Sequence, residues 1–186
     1  KLEDQPSIEH TSFMPVYDQI REKDEEKLEA WIEGKTGVHF IDACMIYLRN
    51  YGWINFRMRA MLASFASYNL WLDWRYFAPR LAALFTDFEP GIHYSQIQMQ
   101  SGTTGINTIR MYNPYKQAMD QDPLGKFIKS QIPEVKNFPP AFFHNPPKKS
   151  LNVNLFDNEF QKEIIDDKET AQYARKKIFD IRKSHD

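Results

Sequence analysis

Two arginines, Arg57 and Arg59, sit two residues apart in the largely apolar stretch G-W-I-N-F-R-M-R at 52–59. On a helix such a pair points roughly 200° apart, so one ligand cannot take both equally. An unpaired charge in apolar surroundings is costly, and each arginine therefore needs its own partner. Two readings stay open: a pair of structural salt bridges, or one arginine on a buried polar ligand and the other on a phosphate surface. Downstream, T-D-F-E-P sets the carboxylates of Asp87 and Glu89 two residues apart. Such groups accept hydrogen bonds from a ring N–H or from hydroxyls, and they serve equally as solvated charges at a helix end. His93, four residues on, is of the type that exchanges protons near neutrality, against the alternative of a hydrogen-bonded loop histidine. Gly34-Lys35-Thr36 ends like a phosphate-binding loop, but Glu29 stands where that loop needs glycine and the preceding pattern is helical. A helix-terminating turn accounts for it.

These residues must be held by helices. Asp24–Glu33 reads as a charged helix with Leu28, Trp31 and Ile32 on its apolar side and Gly34 as its stop. Apolar residues recur at 38, 41, 45 and 48, up to Asn50, and Gly52 breaks the pattern. Trp53–Trp74 is apolar almost all round, which predicts a helix buried inside a bundle. Helix continues over Asp73–Phe85, with Pro79 marking a boundary or kink. Pro90-Gly91 then closes the region. Up to Asn113 the chain reads as loop, with a short helix at Tyr94–Gln100. Phe127–Gln131 reads as a short helix, residues 138–150 as extended because of their four prolines, and Lys168–Lys183 as a final helix facing inward with Ala171, Ala174, Ile178 and Ile181. The expected class is all-α, an irregular helical bundle with long loops, forming one domain over residues 1–186.

Composition narrows the function. With 186 residues the chain is long enough to bury a core. Its 24 Lys plus Arg against 25 Asp plus Glu leave a net charge of -1, so any nucleic-acid contact must come from a local patch. The single cysteine, Cys44, excludes an intramolecular disulfide and a multi-cysteine zinc site, and no metal is expected. The longest charge-free, mainly apolar run, Ala60–Leu72, is thirteen residues, too short to span a bilayer. A soluble, reducing compartment, the cytoplasm, fits best. Arg175-Lys176-Lys177 reads as a solvated helix face.

W-I-E-G-K-T-G at 31–37, G-W-I-N-F-R-M-R at 52–59, L-D-W-R at 72–75 and the line Asp87-Phe88-Glu89 together resemble the flavin-binding helical domain of the DNA photolyase and cryptochrome family. R-M-Y-N-P at 110–114, D-P-L-G-K-F-I at 122–128 and I-P-E-V at 132–135 resemble that family's closing pattern. The resemblance implies FAD as cofactor and a set of roles. Arg59 would pair with Asp87 beside the flavin, Arg57 would face DNA phosphate, and Trp53 would lie near the ring. Asp87 and Glu89 would bind the ring and its ribityl side. His93 would stand opposite a reactive ring nitrogen as a cofactor-binding and catalytic residue. Trp74 resembles the middle tryptophan of the family's electron-transfer chain. Asn55 precedes Phe56, which occupies the place of the family's usual asparagine, and is taken as the polar contact to cofactor. The proximal tryptophan's place falls at Ile97, and that of the lesion-stacking tryptophan at Met99, a DNA-facing position.

The function implied is the FAD-binding portion of a photolyase-like flavoprotein, with blue-light-driven electron transfer from reduced flavin to pyrimidine dimers in DNA. Its partner would be damaged DNA. The chain reads as a C-terminal fragment, with the family's antenna domain and the Ser/Thr-rich flavin-phosphate loop upstream of it. The missing tryptophans favour a cryptochrome-like photoreceptor without repair, or an unusual photolyase, over an ordinary one. A cofactor-free helical module is the third expectation.

Overall fold

The computed structural model describes residues 4–18, 20–105, 109–146 and 163–184. Among them the chain is all-α, and β-pairing is limited to a lone parallel bridge between Glu22 and Leu72. Helix α1 runs Glu25–Glu33 and α2 His39–Tyr51. Asp24 caps α1 by accepting from Lys27 N, and Gly34 ends it in the left-handed region at φ 71°. Trp31, Phe40, Ile41, Leu48, Leu62 and Phe77 are buried in the main core that α1 and α2 share with the helices following them. Cys44 lies inside that core, where burial pushes its thiol up.

The turn between α1 and α2 is fastened from within. Asp42, on the first turn of α2 and nearly inaccessible, accepts from Thr36 N at 2.9 Å, Thr36 Oγ1 at 2.6 Å and Gly37 N at 2.9 Å. Thr36 O in turn accepts from Ile164 N at 2.9 Å, so the same turn carries the segment leading to the last helix. The G-K-T-G motif is therefore a buried helix-to-helix turn.

The long apolar stretch is not one helix. Helix α3 is Phe56–Ser64, capped by Asn55, and a π turn follows at Phe65–Asn69. The chain then breaks before α4, Trp74–Ala82, which Asp73 caps. Apolar periodicity is blind to these two caps. Trp71, in the break, takes the left-handed φ of 58°, a cost of about 1–3 kcal/mol. It is held there by its indole bond to Ile20 O at 2.9 Å and by the Arg21 guanidinium 5.0 Å above its ring. Pro79 lies inside α4 and marks no boundary.

Pro90-Gly91 opens a helix instead of closing one. Helix α5 spans Pro90–Ser101, with Glu89 as N-cap accepting from Gly91 N and Ile92 N and Pro90 at the first position, where its missing N–H costs nothing. The expected loop with a short helix at 94–100 is thus twelve residues of helix. Helix α6, Pro114–Gln121, starts the same way from Asn113 and Pro114, in a stretch for which the apolar spacing predicts no element. Helix α7 is Lys126–Gln131, followed by a 3-10 turn at Pro133–Val135. Pro140–His144 forms α8 where extended chain was expected, again with proline leading, and residues 147–150 of that stretch lie outside the described ones. Helix α9, Asp167–Lys183, buries Ala174 and Ile178 against Tyr17, Tyr68 and Trp71 in a second core.

Replacing Asp42 with alanine would leave three buried donors unmet, each worth about 1–3 kcal/mol. The expected outcome is a loss of about 3 kcal/mol of unfolding free energy in urea. A loss under about 1 kcal/mol would show that the turn finds other acceptors.

Candidate functional site

Helices α3 and α5 and the loop Phe85–Glu89 enclose a cleft of about 350 Å³ that opens to solvent. It is within the usual range for small-molecule sites, roughly 300–1,000 Å³. Its position follows from local bonds. Gly52, ending α2 in the left-handed region at φ 70°, offers its carbonyl to Thr86 N at 2.9 Å and Thr86 Oγ1 at 3.1 Å. That bond fixes the next residue, Asp87, opposite α3. Arg59 reaches it from the second turn of α3, with Nη2 at 2.9 Å from Asp87 Oδ2. The same guanidinium donates through Nε to Ile54 O at 2.7 Å and lies 4.2 Å from the centroid of Phe85.

Arg59 and Asp87 are each partly open to solvent, so the ion pair alone contributes about 1 kcal/mol or less. Its value is geometric: one planar group ties the loop before α3 to the loop before α5. Hydrogen bonding from Arg59 holds the Asp87 carboxyl below the usual carboxylate range.

Along α5, residues 89, 92, 93, 96, 97 and 100 line the cleft, following helical spacing. Glu89 keeps both oxygens engaged as the helix cap, at 3.1 Å from Gly91 N and 2.6 Å from Ile92 N. His93 is helical and not in a loop. Its Nε2 lies 3.0 Å from Ala78 O, so Nε2 carries the hydrogen and donates to that carbonyl. Phe85, Phe88 and Tyr94 surround the imidazole edge-on, and burial lowers its pKa. The neutral ring then presents Nδ1 as an acceptor. Gln96 Oε1 is buried without a hydrogen-bond partner. Trp53, Phe56, Phe88 and Ile92 form an exposed apolar rim, Trp53 at 51% and Phe56 at 60% accessibility.

The structure thus brings Trp53, Arg59, Asp87, Glu89 and His93 to one cleft. It places the other candidates elsewhere. Asn55 is turned to capping, with Oδ1 at 3.1 Å from Met58 N, and does not line the cleft. Trp74 is buried off the cleft, its indole donating to Ser12 Oγ at 2.9 Å. Met99 is half-buried and outside the lining, while Ile97 is inside it. Arg57 is exposed on α3, with no carboxylate partner among the described residues. Sequence reasoning missed Phe85, Gln96 and Gln100. Gln96 and Gln100 fall on the lining once α5 is started at Pro90, a proline-led helix start that Glu89-Pro90 encodes.

An aromatic, polar-walled cleft between helices, without a strand among the described residues, defines an α-helical cofactor-binding domain. A family model for the FAD binding domain of DNA photolyase matches residues 1–180, and the chain belongs to that family. It is 36% identical over 127 residues to the deoxyribodipyrimidine photo-lyase of Vibrio cholerae, covering 66% of this chain and 27% of that one. It is 32% identical over 154 residues to cryptochrome-2 of Arabidopsis thaliana, covering 81% of this chain and 24% of that one. The crystal structure of an archaeal photolyase from Sulfolobus tokodaii with two FAD molecules superposes with a TM-score of 0.85 at 30% identity. That match covers 96% of this chain and 41% of the archaeal one. The chain therefore spans well under half the length of these relatives.

Among the described residues no helix is long and apolar enough to cross a membrane.

His93 resonances in an NMR titration are expected to show a midpoint below 6.5, the ordinary histidine value. A folded-state pKa below the unfolded one means stability is lost as pH falls below about 6.5. A midpoint at or above that value would contradict the buried, backbone-bonded imidazole.

Proposed function

We propose that this chain supplies the FAD-contacting half-pocket of a photolyase-like flavoprotein, and that the whole protein uses light to repair pyrimidine dimers in DNA. One observation carries the reading: Arg59, Asp87 and His93 converge on a single aromatic-walled cleft. The residues fit a flavin. The walls offer Phe85, Ala60, Ala63 and Ile97 for a flat ring. The polar side offers the second oxygen of Asp87, the His93 imidazole and the side-chain amides of Gln96 and Gln100 for polar groups of the ring and its hydroxyl tail. Bound there in reduced form, FAD supplies the light-driven electron that splits the dimer.

The chain's own residues bind, orient and shield. Arg59 keeps Asp87 ionised and fixed, so that a donor on the ligand meets a preset acceptor. The neutral His93 keeps a proton on Nε2 and none on Nδ1. The exposed rim of Trp53, Phe56, Phe88 and Ile92 suits two adjacent flipped-out bases of one strand stacking over the mouth. Arg57, exposed on α3 and without a carboxylate partner among the described residues, suits a backbone phosphate.

A cryptochrome-like sensor is the second reading, and Ile97 favours it. The cleft wall carries an aliphatic side chain where the family resemblance puts a tryptophan, and Trp74 stands off the cleft. Electron supply to the ring through that tryptophan chain therefore lacks its first member.

The test is blue-light repair of dimer-containing DNA by the whole protein loaded with reduced FAD. The expected result is light-dependent loss of dimers, reduced tenfold or more by Asp87→Ala, in line with a lost charge-assisted hydrogen bond. FAD bound without any repair would favour the sensor.

A further inference from the structure

Helix α9 carries a charge unlike that of the chain as a whole. Residues 175–183 hold five cations against one carboxylate, Asp180, in a chain of net charge -1. Phe179, 64% accessible, stands among them. Its helical neighbours three and four residues away on either side are Arg175, Lys176, Arg182 and Lys183. Arg182 donates through Nε to Tyr17 OH at 3.4 Å. Arg175, Lys176 and Lys183 are exposed, and no carboxylate among the described residues lies within ion-pair distance of them. The segment before α6 adds an exposed Arg110. Arg110 and Arg175 line an open recess of about 340 Å³ with Ile109, Met111 and Tyr112.

A single exposed apolar ring is ordinary, and a charge run alone is a solvated face. Here ring and charges share one strip, and the strip adjoins a recess between two guanidinium groups, whose planar forks match phosphate. The strip is separate from the cleft, since none of its residues belongs to the cleft lining. Ser64, at the opposite end of α3 from Phe56, donates through Oγ to Arg110 O at 3.4 Å and accepts from Tyr112 N at 3.3 Å. The recess segment therefore joins α3 about 12 Å along its axis from the cleft rim.

We infer that this strip is a second nucleic-acid contact, in which Arg110 and Arg175 hold a backbone phosphate in the recess, Lys176 and Lys183 meet neighbouring phosphates, and Phe179 stacks on an unpaired base. The chemistry favours a nucleic-acid strand over an anionic membrane. A helix lying on a bilayer buries an apolar face in it. The apolar face of α9 is already occupied, with Ala174 and Ile178 packed against Tyr17, Tyr68 and Trp71. One ring between cations is what a stacked base between phosphates requires. The contact needs neither flavin nor lesion, so it stands or falls apart from the reading of the cleft.

The probe is an undamaged, fluorescein-labelled oligothymidylate, followed by anisotropy over a range of salt concentrations without FAD. The parent chain is expected to bind it, with an affinity that falls as salt rises. Arg110→Gln combined with Arg175→Gln is expected to weaken binding about fivefold at low salt and to flatten the log–log salt slope by about 0.7, the value for one single-strand phosphate. Phe179→Ala is expected to weaken binding about fivefold or more and to leave the slope unchanged. All three positions are exposed, so both variants are expected to melt with the parent. The same losses are expected in an Arg57→Ala background, which removes the cation at the cleft rim. A parent that does not bind, or variants that bind as the parent does, would overturn the inference and leave the flavin reading intact. Binding to phosphatidylserine vesicles that these variants lose, with no oligonucleotide bound, would overturn it in favour of a lipid surface. A flattened slope in the arginine pair with Phe179→Ala unchanged would overturn the stacked base.

Discussion

The site depends on where the Arg59 guanidinium can go. It stands on a helix whose neighbouring turns are buried, and a charge there needs partners on the sides turned away from water. The Ile54 carbonyl, the Asp87 carboxylate and the face of Phe85 meet it from three sides. Ile54 belongs to the loop before α3, and Phe85 and Asp87 to the loop between α4 and α5. Satisfying one cation therefore brings these two loops together beside α3, and the cleft is the space they leave. The pair adds little stability of its own, because both members touch water. What it fixes is direction.

The second constraint is that α5 works with two faces. Its inner face lines the cleft. Its outer face is held by the N-terminal segment through Gln98, whose Nε2 donates to Ile8 O at 2.8 Å and Thr11 O at 3.0 Å, and whose Oε1 accepts from Phe13 N at 2.8 Å. Arg21 adds a bond from Nη2 to Ser101 O at 2.7 Å and another from Nε to Ser67 O at 2.9 Å. Buried polar groups at these positions set the height and rotation of α5 against α3, which decides whether His93 and Gln96 face the cleft. Residues far from the site in sequence thus position it.

Much of this was legible from residue types. The helical class, the terminating roles of Gly34 and Gly52, and the meeting of Arg59 with Asp87 follow from capping chemistry, apolar spacing and a family resemblance. The failures share a cause. Proline reads as a stop at 90, as extended chain within 138–150 and as a boundary or kink at 79, yet Pro90, Pro114 and Pro140 each occupy a first helical position. The signal was the capping residue before it, as in Glu89-Pro90 and Asn113-Pro114. Apolar periodicity likewise joined α3 to α4, because it cannot see that Asn55 and Asp73 each begin a helix. Asn55 shows the limit of assigning a polar side chain to a ligand by position alone: its oxygen is taken by the backbone of its own helix. Gln96 and Gln100 escaped notice for the same reason as α5 itself, since their shared face appears only when the helix is started at Pro90.

The central claim is that these helices build a flavin-binding wall around Arg59 and Asp87. The most direct measurement is the visible absorption spectrum of the purified chain after incubation with excess FAD and removal of the unbound portion, run beside Arg59→Ala. The account predicts a retained flavin band in the parent that is lost or much diminished in the variant, with the variant still folded by circular dichroism. No retained band in the parent, or equal bands in both, would contradict it.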